Sequence, residues 1–563
     1  MSIVNETTSP IARTERERTA PWLAHYPFCV PAKLDYPEEP VWWLLTRAAE
    51  MFPTRIACQH YDLSLTYAEL AVAARKAASM FQRLGVTPGD RVGLLLPNTP
   101  EYLIAAYGVW MAGGVVVSLS PLSVAEEISH LVRTTDCKLV VALDVLTPLV
   151  TTGVYRPDRV LVCTIADRLS LLQRAGYNAL LWRRGGRQFH GIEHQSFNEL
   201  LDAETPLAGL FRGDKNTPAF ILPTGGTTDH PKAVTLSHGN LLANAWQIYH
   251  WCGERTGRDT LLAVIPFFHS YGLTTCVTTG IAMGATLVLH HRFQPAKVLE
   301  LIETTKPTVF PAVPAMLRAL HEQWQKQPRN LKSLMWVISG GAPLEPAVAE
   351  AFAEAARCRV VEGYGLSEAS PVTHVGPLDG SARSGFIGLP LPDTEARIVD
   401  AESGLFDLPA GEVGELVIRG PQVMQGYWND VEQTIGAIRD GWLFTGDLAK
   451  FDADGFFQIV DRKKDLIITS GFNVYPSDVE SVLRKYPGVT DVAVVGVPDP
   501  HKGELVKAVL AVENKAKFRQ HGLEQYIAEH LAHHKRPKVI EVCEGDLPRN
   551  FLGKVLRRKL RDA

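Results

Sequence analysis

The sequence predicts an α/β protein: a large N-terminal domain of parallel sheets flanked by helices, then a small α+β C-terminal domain. Three observations carry this expectation. Short apolar runs alternate with amphipathic segments from Trp42 to Val361, the pattern of parallel α/β units. From Gly411 the texture changes to short strands joined by turns. The dense charge run Asp461-Arg-Lys-Lys-Asp465 then separates two apolar runs, so a linker is placed at residues 462–465. At 563 residues the chain is too long for one core. Domains are therefore expected at 31–461 and 466–563, after a polar, disordered lead-in at 1–30.

Taken in order, Trp42 to Ala57 places apolar residues near i, i+3, i+4 and predicts a helix. Thr66 and Glu69 have the spacing of a capping box, opening a helix that runs to about Leu84 and stops at Gly85. Arg91–Leu96, Val115–Val117 and Lys138–Ala142 are buried strands, alternating with helices at Glu101–Gly113 and Ala125–Thr134. Between Ala166 and Glu204, Leu171, Leu172, Leu180, Leu181 and Trp182 interleave with Arg168, Arg174, Arg183, Arg184 and Arg187. Such a segment is either an interfacial patch in peripheral contact with a membrane or a solvated surface insertion, and the second is preferred. Ala219–Leu222 is a strand, and Ser237 caps a helix over Leu241–Tyr249.

Leu261 to Leu289 holds no Asp, Glu, Lys or Arg and is long enough for a bilayer span of roughly 20 residues. Pro266, His269, Tyr271 and interspersed glycines interrupt it. A buried strand (Leu261–Ile265), loop, helix (Thr274–Ala282) and strand (Thr286–Leu289) are expected instead. Apolar strands near Thr308, Met335 and Arg359 run into proline or glycine turns. After Gly411 come strands at Gly414–Arg419, Gly441–Asp447 and Phe456–Val460, the last two joined at Asp454-Gly455. The C-terminal unit reads as helix Pro476–Arg484, strands Val489–Val497 and Val506–Val512, and helix Leu523–Leu531.

Apolar content of 46% and charged content of 21% are ordinary globular chemistry, and with a net charge of −4 nothing points to a nucleic-acid partner, so none is expected. Eight cysteines without a CxxC pair read as small buried residues in a reducing compartment, the cytoplasm. No secretory signal opens the sequence, and no peroxisomal or prenylation tail ends it.

The stretch Pro223-Thr-Gly-Gly-Thr-Thr-Asp-His-Pro-Lys-Ala-Val234 follows an apolar strand. Its glycines permit close backbone approach, its successive N–H groups can cradle an anion, and its threonines and Lys232 add donors and charge. It suits a polyphosphate without matching the P-loop spacing. Ser339-Gly-Gly-Ala-Pro343 and Glu362-Gly-Tyr-Gly-Leu-Ser-Glu368 also follow strands. Ligands of α/β sheets bind beyond strand carboxyl ends, so all three turns point to one crevice.

These motifs, with Thr445-Gly-Asp447 and Pro548-Arg-Asn-Phe-Leu-Gly-Lys554, occur in the order seen in the adenylate-forming superfamily. From Leu65 to Leu560 the chain resembles its acyl-CoA synthetases, and most closely the bacterial long-chain fatty acid–CoA ligases. The resemblance implies a large domain that includes a distorted β-barrel, and a mobile small domain. It implies ATP, CoA and a fatty acid as substrates, with Mg2+. Thr224, Gly225, Gly226, Thr227, Thr228 and Lys232 would hold the β and γ phosphates. Gly341, Ala342 and Tyr364 would line the adenine site, Gly365 would also contact the nucleotide, and Ser367 would sit near the α-phosphate. Glu368 would bind the metal, with Thr228 beside it. Asp447 would take the ribose hydroxyls, and Arg462 would be a second contact to ribose or phosphate. Lys464 would be the hinge, and Lys554 the lysine bridging ATP and carboxylate. His269 would stand at the acyl-pocket mouth, and Gly471 and Phe472 beside the CoA channel. Oligomeric state, monomer or homodimer, is left open.

The sequence departs from the family pattern at Asp229 and Ala233, where glycines are usual, and at Asn550 and Phe551 before Lys554. Two rival readings stand beside a fatty acid ligase. One is an adenylating enzyme for an aryl or other acid, or with a carrier-protein acceptor. The other is a non-enzymatic AMP- or acyl-binding protein. The absence of an Asp near Phe268-His269 argues against an amino acid substrate.

Overall fold

The computed structural model describes residues 20–166, 171–183, 189, 192–224, 232–253, 255–516, 518, 520–549 and 554–561. The lead-in to Thr19, the glycine-rich turn from Gly225 to Pro231 (with Asp229), and Asn550 and Phe551 lie outside these residues.

Two large sheets form the body. In the first, strands Arg91–Leu95, Val115–Ser118, Leu139–Leu143, Arg159–Cys163, Glu193–Ser196 and Pro218–Thr224 are parallel to their neighbours. Lys232–Ser237 and Gly426–Tyr427 extend it antiparallel. In the second, Arg359–Gly365, Trp336–Ser339, Val309–Ala312, Thr260–Ala263, Thr286–Leu289 and Ile56–His60 are parallel. Antiparallel pairs close both its ends. Alternation of apolar strand and helix thus yields parallel sheets, as the spacing predicts.

The helix Trp43–Met51 is shorter than Trp42–Ala57. Pro53 disfavours helical backbone at Phe52. Ile56 and Ala57 instead begin a strand whose Cys58 lies opposite Leu287, far along the chain. The capping box is as expected, with Thr66 and Glu69 bonding each other's backbone at the start of Tyr67–Arg83.

The helix Pro100–Ala112 is buried along its whole length, and its aromatic residues bond carbonyls far along the chain. Tyr102 donates to Phe267 O (2.9 Å), Tyr107 to Val277 O (2.8 Å) and Trp110 to Ala219 O (2.9 Å). Gly108 has to be small here, because a Cβ would sit 2.5 Å from that of Ala77 on the neighbouring helix. The charge-free stretch folds as predicted, strand, loop, helix and strand, except that its helical part starts at Ser270 and widens over Leu273–Thr278. No helix among the described residues is long and apolar enough to cross a membrane.

Strands Glu395–Val399, Gly414–Arg419, Trp442–Phe451 and Phe457–Arg462 build a third, antiparallel sheet. The chain leaves it at Arg462, makes the short turn Lys463–Asp465, and enters a fourth sheet at Ile467. That sheet packs helices Pro476–Leu483 and Gln520–His530 over a core of Ile467, Val479, Leu483, Val494, Leu510, Leu523 and Ile527.

Candidate active site

One cavity of about 980 Å³ opens where the two large sheets, the third sheet and the C-terminal segment meet. Its position follows from loops held by distant partners. The loop Pro266–Gly272 is pinned from the first sheet. Asn98 Nδ2 donates to Ala263 O and Ile265 O (2.9 Å each), Phe267 N donates to Asn98 Oδ1 (2.9 Å), and Ser118 Oγ donates to Phe268 O (2.6 Å). Gly272 fits only without a side chain, since a Cβ would strike Pro266 O at 2.2 Å. In the same loop His269 Nδ1 accepts from Tyr271 N (3.2 Å), which leaves the ring proton on Nε2. Burial lowers the His269 pKa to about 4, so the ring is neutral at working pH.

At the polar end of the cavity, Tyr364 stands on the strand Arg359–Gly365 and donates its hydroxyl proton to Asp447 Oδ2 (2.6 Å). Asp447 Oδ1 pairs with Arg462 Nε at 2.7 Å across two neighbouring strands. Burial is the largest influence and opposes the Arg462 charge, but Asp447, Tyr364, Glu368 and Asp465 together outweigh it and move the guanidinium pKa up. Gly365 passes so close to Pro371 that a Cβ would lie 1.9 Å from its carbonyl oxygen. Ser367 Oγ is 3.2 Å from Ser270 Oγ. Glu368 Oε1 accepts from Tyr427 OH (3.0 Å), and Lys232 Nζ lies 4.8 Å from the Tyr427 ring centre. Among the described residues no three His, Cys, Asp or Glu side chains gather as a metal-binding group. A divalent ion here would therefore depend on Glu368 and on oxygens brought by a ligand.

Lys232, Arg439, Arg462, Lys463, Lys464 and Lys554 all line the cavity, against Glu368 and Glu415. This excess of cations suits a polyanion. Lys554, as a residue exposed, turns its side chain onto the cavity wall. Desolvation there, with Arg462 and Lys464 nearby, lowers its ammonium pKa to about 8 against the opposing pull of Asp447 and Asp465. The other end of the same cavity is apolar, lined by Ile248, Trp251, Leu261, Met283, Val309, Val375 and Leu378.

The residues predicted from sequence are largely brought together. Thr224, Lys232, His269, Gly341, Tyr364, Gly365, Ser367, Glu368, Arg462, Lys464 and Lys554 line one cavity, and Asp447 bonds two of them. Gly341 takes φ +80° in its turn. Ala342 does not reach the wall, and neither do Gly471 and Phe472. Phe472 is 55% exposed and stacks on His534 (ring centres 4.9 Å apart). Gly225, Gly226, Thr227 and Thr228 lie outside the described residues. Ala233, one of the departures from the family pattern, sits in the strand Lys232–Ser237 opposite Pro223.

Sequence reasoning missed Tyr427, Glu415 and Arg557. Glu415 had a readable signal, an acid on a strand whose neighbours are all buried, a place where carboxylates are rare without a partner. Its partners are Lys463 Nζ (2.7 Å) and Gly446 N (3.1 Å). Arg557 joins Glu480 (2.7 Å), Asp465 (3.3 Å) and Asp461 (3.6 Å) around the Lys463–Asp465 turn. No local pattern marks Tyr427.

The AMP-binding enzyme family matches residues 45–428, and the AMP-binding enzyme C-terminal domain matches residues 478–554. The long-chain-fatty-acid–CoA ligase of Bacillus subtilis (strain 168) is 37% identical over 548 residues, covering 96% of this chain and 97% of its own. That of Salmonella typhimurium (strain LT2) is 34% identical over 558 residues, covering 96% and 98%. The crystal structure of ATP-bound MatB from Rhodopseudomonas palustris is 28% identical with a TM-score of 0.78, over 92% of this chain and 98% of that one. With matches that run through both parts of the sequence and a cavity built from the same motifs, the chain belongs to the AMP-binding enzyme family.

Proposed function

We propose that this chain is an ATP-dependent acid–thiol ligase that converts a medium- or long-chain fatty acid to its CoA thioester in the cytoplasm. The observation that carries the reading is the single cavity with a cation-rich end and an apolar end. A fatty acid and a nucleotide triphosphate together have that polarity, and the carboxylate would lie where the two ends meet.

In the first step a carboxylate oxygen attacks the α-phosphorus of ATP. The P–O bond to the β-phosphate breaks, giving acyl-AMP and pyrophosphate. In the second, a CoA thiolate attacks the acyl carbon and AMP leaves. Tyr364 offers a face for the adenine, and Asp447, held by Arg462, offers carboxylate oxygens to the ribose hydroxyls. Lys232 and the turn beginning at Thr224 would meet the outer phosphates. Ser367 would meet the α-phosphate, and the Lys554 ammonium would span the phosphate and the incoming carboxylate. Neutral His269, fixed by Tyr271 N, would guard the entry to the apolar end without adding charge. Glu368 fits Mg2+, a hard cation commonly held by one or two carboxylates with phosphate oxygens and water. When bound, that ion neutralises phosphate charge.

We take the domain boundary at residues 462–465, with Lys464 as pivot. Lys554 at the cavity and an exposed Gly471–Phe472 hairpin outside it fit the orientation for adenylation. A rotation would exchange the two for thiol entry. Pyrophosphate release, measured with octanoate, palmitate, benzoate and ferulate in turn, tests the reading. Release with a fatty acid, and thioester once CoA is added, is expected. Faster release with an aromatic acid than with any fatty acid would overturn the substrate class.

A further inference from the structure

We infer that Tyr427 is the positioning residue of the triphosphate end of the cavity: its hydroxyl sets Glu368 for a divalent cation, and its ring seats Lys232 for the outer phosphates. The inference rests on the proposed reaction, because Mg2+ and ATP are what these two charges would meet.

Tyr427 lies in the two-residue strand Gly426–Tyr427, far in sequence from both partners, and its backbone is held from several sides. Gln425 N donates to Thr235 O (3.1 Å) and Trp428 N to Ala233 O (2.7 Å). These bonds lay the segment along the strand Lys232–Ser237, which begins just after the glycine-rich turn. Tyr427 N donates to Thr434 Oγ1 (2.9 Å) on the short helix Val431–Ala437. A Cβ at Gly426 would lie 2.6 Å from the Thr434 side chain, so only glycine lets the two come this close. Met424 N donates to Glu368 O (2.7 Å). One segment is thus fixed both to Glu368 and to the strand that opens at Lys232, and Tyr427 reaches the two side chains from it.

Each part of the side chain has its own task. The hydroxyl donates to Glu368 Oε1 (3.0 Å). Burial, and after it Glu368, raises the phenol pKa, so the proton stays on the oxygen and the group remains a donor. With Oε1 engaged, the carboxylate is oriented while Oε2 is left for a cation. Outer partners of this kind orient metal ligands, and their loss commonly lowers metal affinity about tenfold to a hundredfold. The ring takes the opposite charge. Lys232 Nζ lies 4.8 Å from its centre, inside the roughly 6 Å reach of a cation–π contact. An ammonium seated on a ring keeps its charge for an incoming anion, which a direct pair with Glu368 would neutralise. Phenylalanine would supply the face without the donor, and serine the donor without the face.

The test is the unfolding temperature of the full chain with ATP, in EDTA and across a Mg2+ titration, with no acid present and each variant read against its own ligand-free value. For the wild type, Mg2+ is expected to increase the stabilisation by ATP. Tyr427→Phe keeps the ring and loses the donor. Its stabilisation by ATP in EDTA should match that of the wild type, its Mg2+ midpoint should rise about tenfold, and excess Mg2+ should restore the wild-type shift. Tyr427→Leu loses both parts, so the ATP needed in EDTA should also rise, by about fivefold. An unmoved Mg2+ midpoint in Tyr427→Phe overturns the inference. So does a deficit that excess Mg2+ does not repair, which would assign Tyr427 to packing alone. Equal ATP dependence of Tyr427→Leu and wild type in EDTA overturns the part given to the ring. A wild type that ATP does not stabilise at any Mg2+ concentration would remove the reaction itself and this inference with it, whereas a wrong substrate class leaves the measurement unaffected.

Discussion

Replacing Arg557 by Met should separate the two half-reactions. Its guanidinium meets Glu480 on the helix Pro476–Leu483, Asp465 in the turn, and Asp461 on the last strand of the third sheet. Asp461 lies on the large-domain side of the proposed pivot, and Lys554 is three residues before Arg557. The guanidinium therefore ties the segment bearing Lys554 to the far side of the turn. Its loss leaves three carboxylates, each at most 12% exposed, facing one another. Deleting one partner of a buried ionic cluster costs about 3–5 kcal/mol. Arg557 keeps 19% of its side chain in water, so the lower end, about 3 kcal/mol, is expected in chemical denaturation. The ion pair with Asp461, at 3.6 Å too long for a hydrogen bond, is worth about 1 kcal/mol, which corresponds to about fivefold in the population holding Lys554 at the cavity. Adenylation, read as pyrophosphate release without CoA, should then fall about fivefold. Transfer from preformed acyl-AMP to CoA should change little, because under the proposed rotation that step uses the other orientation. An equal fall in both steps, or no fall in adenylation despite the lost stability, would refute the coupling.

Other outcomes follow from the same geometry. The kcat/KM for ATP should fall above about pH 8, because the Lys554 ammonium, lowered to about 8, is charged below that pH and neutral above it. Lys554→Arg should move this alkaline limb upward, and an unmoved limb would assign it to another group. Asp447→Asn removes the 2.7 Å counter-ion of Arg462 and weakens the bond from Tyr364, so KM for ATP should rise about tenfold to a hundredfold, by the worth of hydrogen bonds to a charged group. An unchanged KM would remove Asp447 from the ribose site. Burial raises the Glu362 carboxyl to about 7 against the Leu344 N–H, from an ordinary 4.5. Between those values the folded chain holds a proton that the unfolded chain has lost, so this group's contribution to stability falls as pH climbs from 4.5 to about 7. Urea denaturation at pH 5 and pH 8 should show the wild type losing more stability than Glu362→Gln across that interval, and parallel losses would place the titration elsewhere.

The fold class was legible because alternation of apolar strand and helix is a local pattern, and so was the polar end of the site. Glycines within or just beyond apolar strands, after Thr224 and at Gly340 and Gly363, announce themselves within a few residues, and the two large sheets then bring Thr224, Gly340 and Gly363 to one cavity. What stayed hidden is set by partners far away in the sequence. Cys58 pairs beside Leu287, Asn98 holds the loop around His269, and Tyr427 reaches Glu368 from a two-residue strand. None of these has a local signature. The same reason separates the two ends of the cavity. A carboxylate or lysine next to a glycine turn is conspicuous, whereas Trp251, Leu261, Met283 and Val309 look in sequence like any core residue, and only their placement turns them into a wall. The chemistry of activation is thus written in short motifs, while the acid to be activated is written in the packing between a helix and three strands. Changes at Trp251 or Met283 should therefore alter which acid is taken without touching how it is activated.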